Sequence, residues 1–150
     1  MNEIKQYEPL VSICQKLLAQ VPCDFVGVAI QNQRGPDVRW HYAVGNGNDK
    51  YKRITVRYGK GIAGRVISTG RPIEVANFPN VILGKALEYP IMLAEKLVSA
   101  YAVPVFFQGI PKGVLLVGRR VYIPIQDHEQ MSVQQSVHSL EAMLNNEVKR

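Results

Sequence analysis

Cysteine is scarce in this chain: Cys14 and Cys23 are the only two. They form no metal-ligand pattern and no disulfide framework, so a reduced, cytoplasmic setting is the expectation. Histidine is nearly as rare, and His41, His128 and His138 lack the spacing of a metal site. No run approaches the roughly 20 consecutive apolar residues of a membrane span. The run from Met1 to Gln6 has no apolar core of the signal-peptide kind. Internal repeats, low-complexity linkers, P-loops and hydrolase motifs are missing too. Metal, membrane and P-loop chemistry are thereby set aside.

What is present is ordinary for a globular protein: 47% apolar and 20% charged residues. At 150 residues the chain is expected to be one domain, residues 1–150, able to bury a core without staples. The formal net charge is +6. Much of it sits in Lys50, Lys52, Arg53, Arg57, Lys60, Arg65 and Arg71. The plain reading is a solvated face; the sharper one is a field that attracts anions or an acidic partner. Nucleic acid is disfavoured, because neither a recognition motif nor interleaved aromatics accompany the charge.

The most informative stretch runs from Tyr58 to Asn77. A glycine-rich entry leads into a short helix expected to start near Gly61 or Ile62. Gly70 stands where a left-handed cap belongs, and Pro72 forbids continuation. Ile62 and Val66, and Ala63 and Ile67, are four apart, so one face can bury. The first amides of that helix have no partner inside it, and such an end attracts small anions. Gly59, Gly61 and Gly64 also match Gly-x-Gly-x-x-Gly. The dinucleotide reading fails on context: no βαβ unit precedes the match, and Glu74 comes too soon.

Periodicity places a helix over residues 8–21, with Val11, Cys14, Leu18 and Val21 as its apolar stripe, Leu10, Ile13 and Leu17 widening it, and Pro9 in its first turn. Residues 24–31 read as a strand. In residues 38–44, Val38, Trp40, Tyr42 and Val44 alternate with Arg39, His41 and Ala43, which puts the first four on one face. Short strands are expected at 54–58 and 73–75. Pro90 interrupts helical potential between Lys85 and Leu97, giving a turn at Glu88–Ile91 and then a helical turn. Strands at 98–107 and 112–120 join through Gln108-Gly109-Ile110-Pro111, and Pro104 calls for a bulge or an unpaired edge. Asp127 and Gln130 suggest a capping box for a last helix ending near Glu147. The order predicts an α+β fold: an antiparallel sheet with both terminal helices on one face. Over the other face, the segments carrying Trp40, Ile62 and Tyr89-Pro90 would enclose a small chamber.

The run from Gly59 to Ile73, with Ala-Tyr-Ala-Val-Pro-Val (100–105) and Lys-Gly-Val-Leu-Leu-Val-Gly (112–118), resembles the GAF domain over nearly the whole chain. The resemblance implies a central sheet of about six strands with a ligand pocket beside a short helix. Trp40-His41-Tyr42, the glycine-rich phrase and Tyr89-Pro90-Ile91 before Leu93-Ala94-Glu95 are similar to the small nitrate receptors of the Nre system. That closer likeness implies nitrate as ligand, with no further cofactor. It also implies an oxygen-sensing histidine kinase of the NreB type as partner. Carried over, the nitrate positions are Trp40, Ile62, Ala63, Tyr89, Pro90 and Ile91. Lys60 and Arg65 are expected at the surface rather than on the anion. The terminal helices offer a surface for pairing two copies as a homodimer.

Two other readings compete. A GAF-type reductase of free methionine sulfoxide needs a nucleophilic and a resolving thiol. Cys14 and Cys23 lie in or just after the first helix, away from the segments expected to form the chamber. A module for a cyclic nucleotide or tetrapyrrole has no attachment cysteine or nucleotide signature to support it. The expectation is a binding protein and not an enzyme.

Overall fold

A computed structural model describes residues 7–149; the run Met1–Gln6, discussed above for its lack of a signal peptide, lies outside the described residues. In chain order the elements are α1 (Glu8–Gln20), β1 (Phe25–Gln31), β2 (Asp37–Val44), a 3-10 turn (Lys50–Arg53), β3 (Thr55–Arg57), α2 (Gly61–Thr69), β4 (Ile73–Val75), a second 3-10 turn (Ala86–Glu88), α3 (Pro90–Glu95), β5 (Ser99–Phe107), β6 (Ile110–Arg119) and α4 (Asp127–Lys149). The six strands make one antiparallel sheet in the order β3-β2-β1-β6-β5-β4. The fold is the expected α+β, GAF-like arrangement. Among the described residues no helix is long and apolar enough to cross a membrane.

Each face of the sheet carries its own apolar cluster. Val26, Val28, Ile30, Val103, Val105, Leu115 and Val117 face α1 and α4, meeting Leu10, Cys14, Leu17, Val133, Val137 and Leu140. Burying one such side chain contributes about 1.5–3 kcal/mol, so this face anchors the terminal helices. The opposite face mixes large groups, Phe25, Val38, Val114 and Leu116, with small ones at Gly27, Ala29, Ala100, Ala102 and Gly118. Over it lie Ile62, Ala63, Val66 and Ile67 of α2, and Tyr89, Ile91 and Met92 of the segment before β5. Short side chains on this floor leave height for those elements to settle into.

The strict alternation expected in β2 is broken. Val28 pairs with Tyr42 but Ala29 pairs with Trp40, so His41 is an unopposed bulge residue. Val38 and Trp40 therefore join the α2 side, while Tyr42 and Val44 fall on the α1/α4 side, with Ala43 back beside Trp40. A second bulge lies between Val105 and Phe106, leaving Lys112 unopposed. Pro104 itself pairs with Val114, beyond Ala102, the last β5 residue that β4 reaches. The β5–β6 connection is shorter than expected: Gln108 and Gly109, both at positive φ, make a two-residue turn, and Ile110 and Pro111 are already in β6.

Other local differences have simple causes. Pro90 starts α3 instead of interrupting a helix, since a first-turn residue needs no N–H. The cap of α4 is set one residue earlier than expected: Glu129 accepts the Gln126 N–H at 2.8 Å, and the helix runs from Asp127 to Lys149. α2 begins at Gly61 and ends at Gly70 in the left-handed region, as expected. Gly64 is where α2 meets the chain leading into it: a Cβ there would stand 2.2 Å from the Arg57 carbonyl oxygen.

Arg119 and Glu129 form a buried ion pair at 2.6 Å. Arg119 also donates to the carbonyls of Pro22, Ile123 and Pro124, so one guanidinium ties α1's end, the β6–α4 connection and α4 together. Burial pushes the Glu129 carboxyl up, but the Arg119 bond, the Gln126 N–H and the charges of Arg119 and His128 outweigh it and hold it below its ordinary value.

Gly64→Ala should lower stability by about 1–3 kcal/mol, read as a lower melting temperature, because backbone must move to admit the methyl. Glu129→Gln should cost about 3 kcal/mol by leaving Arg119 without its counter-ion. A carboxyl with a lowered folded pKa stabilises above its unfolded value, about 4.3, and that contribution fades as pH falls through the folded one. Urea midpoints followed from neutral pH downward should therefore fall in the native chain, with this part of the acid loss missing from Glu129→Gln.

Candidate functional site

The candidate site sits on the α2 side of the sheet. Trp40 is 4% exposed and lies over Gly27: a Cβ on Gly27 would come 3.1 Å from the indole and 2.8 Å from the Phe25 ring. Only glycine lets Trp40 lie this low on the sheet. Ile62 and Ala63 are buried in the first turn of α2, both 2% exposed. The N-cap residue Lys60 makes no side-chain cap bond. Among the described residues neither the Ile62 nor the Ala63 amide donates to backbone outside the helix. First-turn N–H groups have no acceptor within a helix, so this end offers donors at the border of an apolar cluster.

Tyr89 and Ile91 belong to the same cluster as Trp40, Ile62 and Ala63, and half-buried Pro90 lies between them. The segment bends over the start of α2: the Glu88 carbonyl lies 3.6 Å from where a Gly61 Cβ would stand. The fold thus gathers five of the six expected positions into one cluster, with Pro90 at its edge. Three cavities among the described residues lie elsewhere. One borders Cys23 and Arg119, one lies between Pro72 and His138, and one opens between Leu10 and Phe107.

Two residues matter here beyond the six expected positions. Arg65, expected at the surface, is half-buried; its Nη1 donates to the Tyr89 hydroxyl at 3.1 Å and its guanidinium lies 5.5 Å from the Tyr89 ring centre. It stands one helical turn after Ile62, and that spacing was the available signal. Lys60 is exposed, as expected. Glu95 is the second. Its side chain is fully buried, and Oε1 accepts the Gly47 N–H at 2.9 Å and Arg120 Nη2 at 2.6 Å. Arg120 also donates to the Glu95 carbonyl, and Asn48 to that of Ala94. These bonds pin the end of α3 to the loop after β2, which carries Trp40.

The thiols stand apart from this site. Cys14 is fully buried in the α1/α4 cluster and Cys23 packs against that same cluster. Burial pushes the Cys14 thiol up to about 12 and the Cys23 thiol up to about 11, the latter against the lowering charge of Arg119. Neither is a thiolate at neutral pH.

No protein-family model and no curated protein matches the sequence. Solved structures do. A NreA protein from Staphylococcus aureus, mutated in its nitrate binding site, is 31% identical with a TM-score of 0.76, over 83% of this chain and 93% of that one. Two further structures show the fold alone. A GAF domain/HD domain protein from Geobacter sulfurreducens is 14% identical, with a TM-score of 0.75 over 95% and 92% of the two chains. A type II free methionine-R-sulfoxide reductase from Thermoplasma acidophilum is 16% identical, with a TM-score of 0.72 over 97% and 95%. With a relative above 30% identity matched along nine-tenths of its length, and with this sheet, α2 and flanking helices in place, the chain belongs to the GAF domain family and resembles NreA within it.

Proposed function

We propose that the protein is a cytoplasmic nitrate receptor that modulates a sensor histidine kinase of the NreB type, and that it is not an enzyme. The observation that carries this is the meeting of the bare first turn of α2, at Ile62 and Ala63, with the indole of Trp40 and the Tyr89-Pro90-Ile91 turn. Nitrate is small, flat and singly charged. Its charge is spread over three oxygens, and its dehydration is easier than that of sulfate or phosphate. Apolar walls with a few convergent N–H groups suit it better than a buried Arg or Lys would. Hydrogen bonds to a charged group contribute about 1.5–3 kcal/mol each, and a partly buried helix end up to about 2. Two or three donors give micromolar binding, on the order of −8 kcal/mol, after ordering costs. The space needed is on the order of one or two waters, which suits a tightly packed site rather than one of the larger cavities.

A receptor must also change something when it fills. Segment 78–96 holds the Tyr-Pro-Ile turn, and its part before Ala86 belongs to no helix or strand, so its opening admits the anion and its closure reports it. The reductase reading has no support in the site, since both thiols lie across the sheet from Trp40 and are protonated.

Titration calorimetry should give a micromolar Kd for nitrate; no heat at millimolar nitrate would end the proposal. Trp40→Phe keeps an aromatic wall but removes the indole N–H, and should weaken nitrate binding about tenfold or more. In the folded protein, Cys14 and Cys23 should react with a disulfide reagent far more slowly at pH 8 than free cysteine. Cys23→Ser should leave nitrate binding unchanged, and methionine sulfoxide turnover abolished by that change would instead establish the reductase.

A further inference from the structure

Segment 78–95 is apolar on both sides. Inward it sends Phe78, Tyr89, Ile91 and Met92, all buried. Outward it shows Val81 at 65% exposure, Leu83 at 78%, Leu87 at 85% and Leu93 at 43%. Single exposed apolar side chains are ordinary; four on one short segment mark a contact surface. The surroundings are basic. Lys85 and Lys96 are exposed on the segment itself. The 3-10 turn with exposed Lys50, Lys52 and Arg53 packs against α3. The nearby acids are already engaged: Glu88 accepts the Lys85 N–H at 2.7 Å, and Asp49 faces Lys52 at 3.9 Å.

We infer that the outer face of residues 81–93 is the surface through which this protein docks on its signalling partner, whose matching patch is apolar with a carboxylate rim. On the reading given above, on which this rests, that partner is the sensor kinase. A second copy of this chain is a poor occupant, because it brings the same positive face to a positive face. Tyr89 couples the two sides. Its ring lies in the cluster with Trp40, Ile62 and Ala63, and its hydroxyl donates to the Leu83 carbonyl at 2.7 Å while accepting from Arg65. A ligand settling beneath Tyr89 therefore fixes the backbone that presents Leu83 and Leu87. Partner affinity and ligand occupancy are linked through one hydroxyl.

The test uses the full-length protein and the purified sensory region of the NreB-type kinase from the same cell. Affinity is read by biolayer interferometry with and without millimolar nitrate, and nitrate binding separately by calorimetry. A Val81→Ser, Leu87→Ser double variant should keep its melting temperature and its nitrate heat, yet bind the kinase at least tenfold more weakly. Lys85→Glu with Lys96→Glu should slow association most at low salt. Equal kinase binding by both apolar variant and native chain overturns the docking surface. So does a native chain that binds nitrate but no kinase. Loss of a dimer in sedimentation by the apolar variant overturns it in favour of self-association. Kinase binding that depends on Val81 and Leu87, in a chain silent to nitrate, upholds the surface while removing the receptor reading.

Discussion

The constraint on which everything else rests is the unequal bulk of the sheet's two faces. Branched residues from β1, β5 and β6 fill one side and pack against α1 and α4. Glycine and alanine, at Gly27, Ala29, Ala100, Ala102 and Gly118, are interspersed on the other with Phe25, Val114 and Leu116. Interiors are packed to crystal-like density, so floor height not taken by side chains must be taken by something else. Here it is taken by Trp40, by α2 packing Ile62, Ala63, Val66 and Ile67 against the sheet, and by the turn carrying Tyr89 and Ile91. A helix start is normally solvated. Brought down onto the sheet, the start of α2 has its Ile62 and Ala63 side chains buried instead.

Electrostatics are divided in the same way. The face of α1 and α4 is closed by a buried pair, Arg119 with Glu129, whose job is structural. The site face is held by Glu95 with Arg120 and by Arg65 with Tyr89. Both bonds join segments that are far apart in sequence; Tyr89 lies within the segment over the site and Glu95 near its end. The Arg65 guanidinium bonds the Tyr89 hydroxyl, and that of Arg120 bonds Glu95 and the carbonyls of Asp24 and Gly45. This is consistent with an anion site built from peptide dipoles, in which side-chain cations set the shape instead of the binding.

Much of this was legible in the sequence. The α1 stripe, the cap at Gly70, the run of strands and the bare start of α2 follow from period, glycine and proline. What was not legible depends on contacts between distant segments. The side that Tyr42 faces turns on one unopposed residue, His41, which leaves no mark in an alternating string. Pro90 reads as a breaker until the chain is seen to begin a helix there. Arg65 belongs to a cluster of surface lysines and arginines by composition, and only the turn carrying Tyr89 draws it in. Glu95 looks like an ordinary exposed helical acid because its partners, Gly47 and Arg120, lie 48 and 25 residues away.

The unopposed residue in β2 has a bearing on how relatives of this chain are compared. A strand with one extra residue cannot be matched to an unbulged one without a gap, and the gap has a single correct place, at His41. Set anywhere else along residues 37–44, it exchanges inside for outside over part of the strand. Tyr42 would then be counted as a neighbour of the ligand and Ala43 as a helix contact. Descent inferred from such a pairing would credit selection for binding to positions that only ever met a helix.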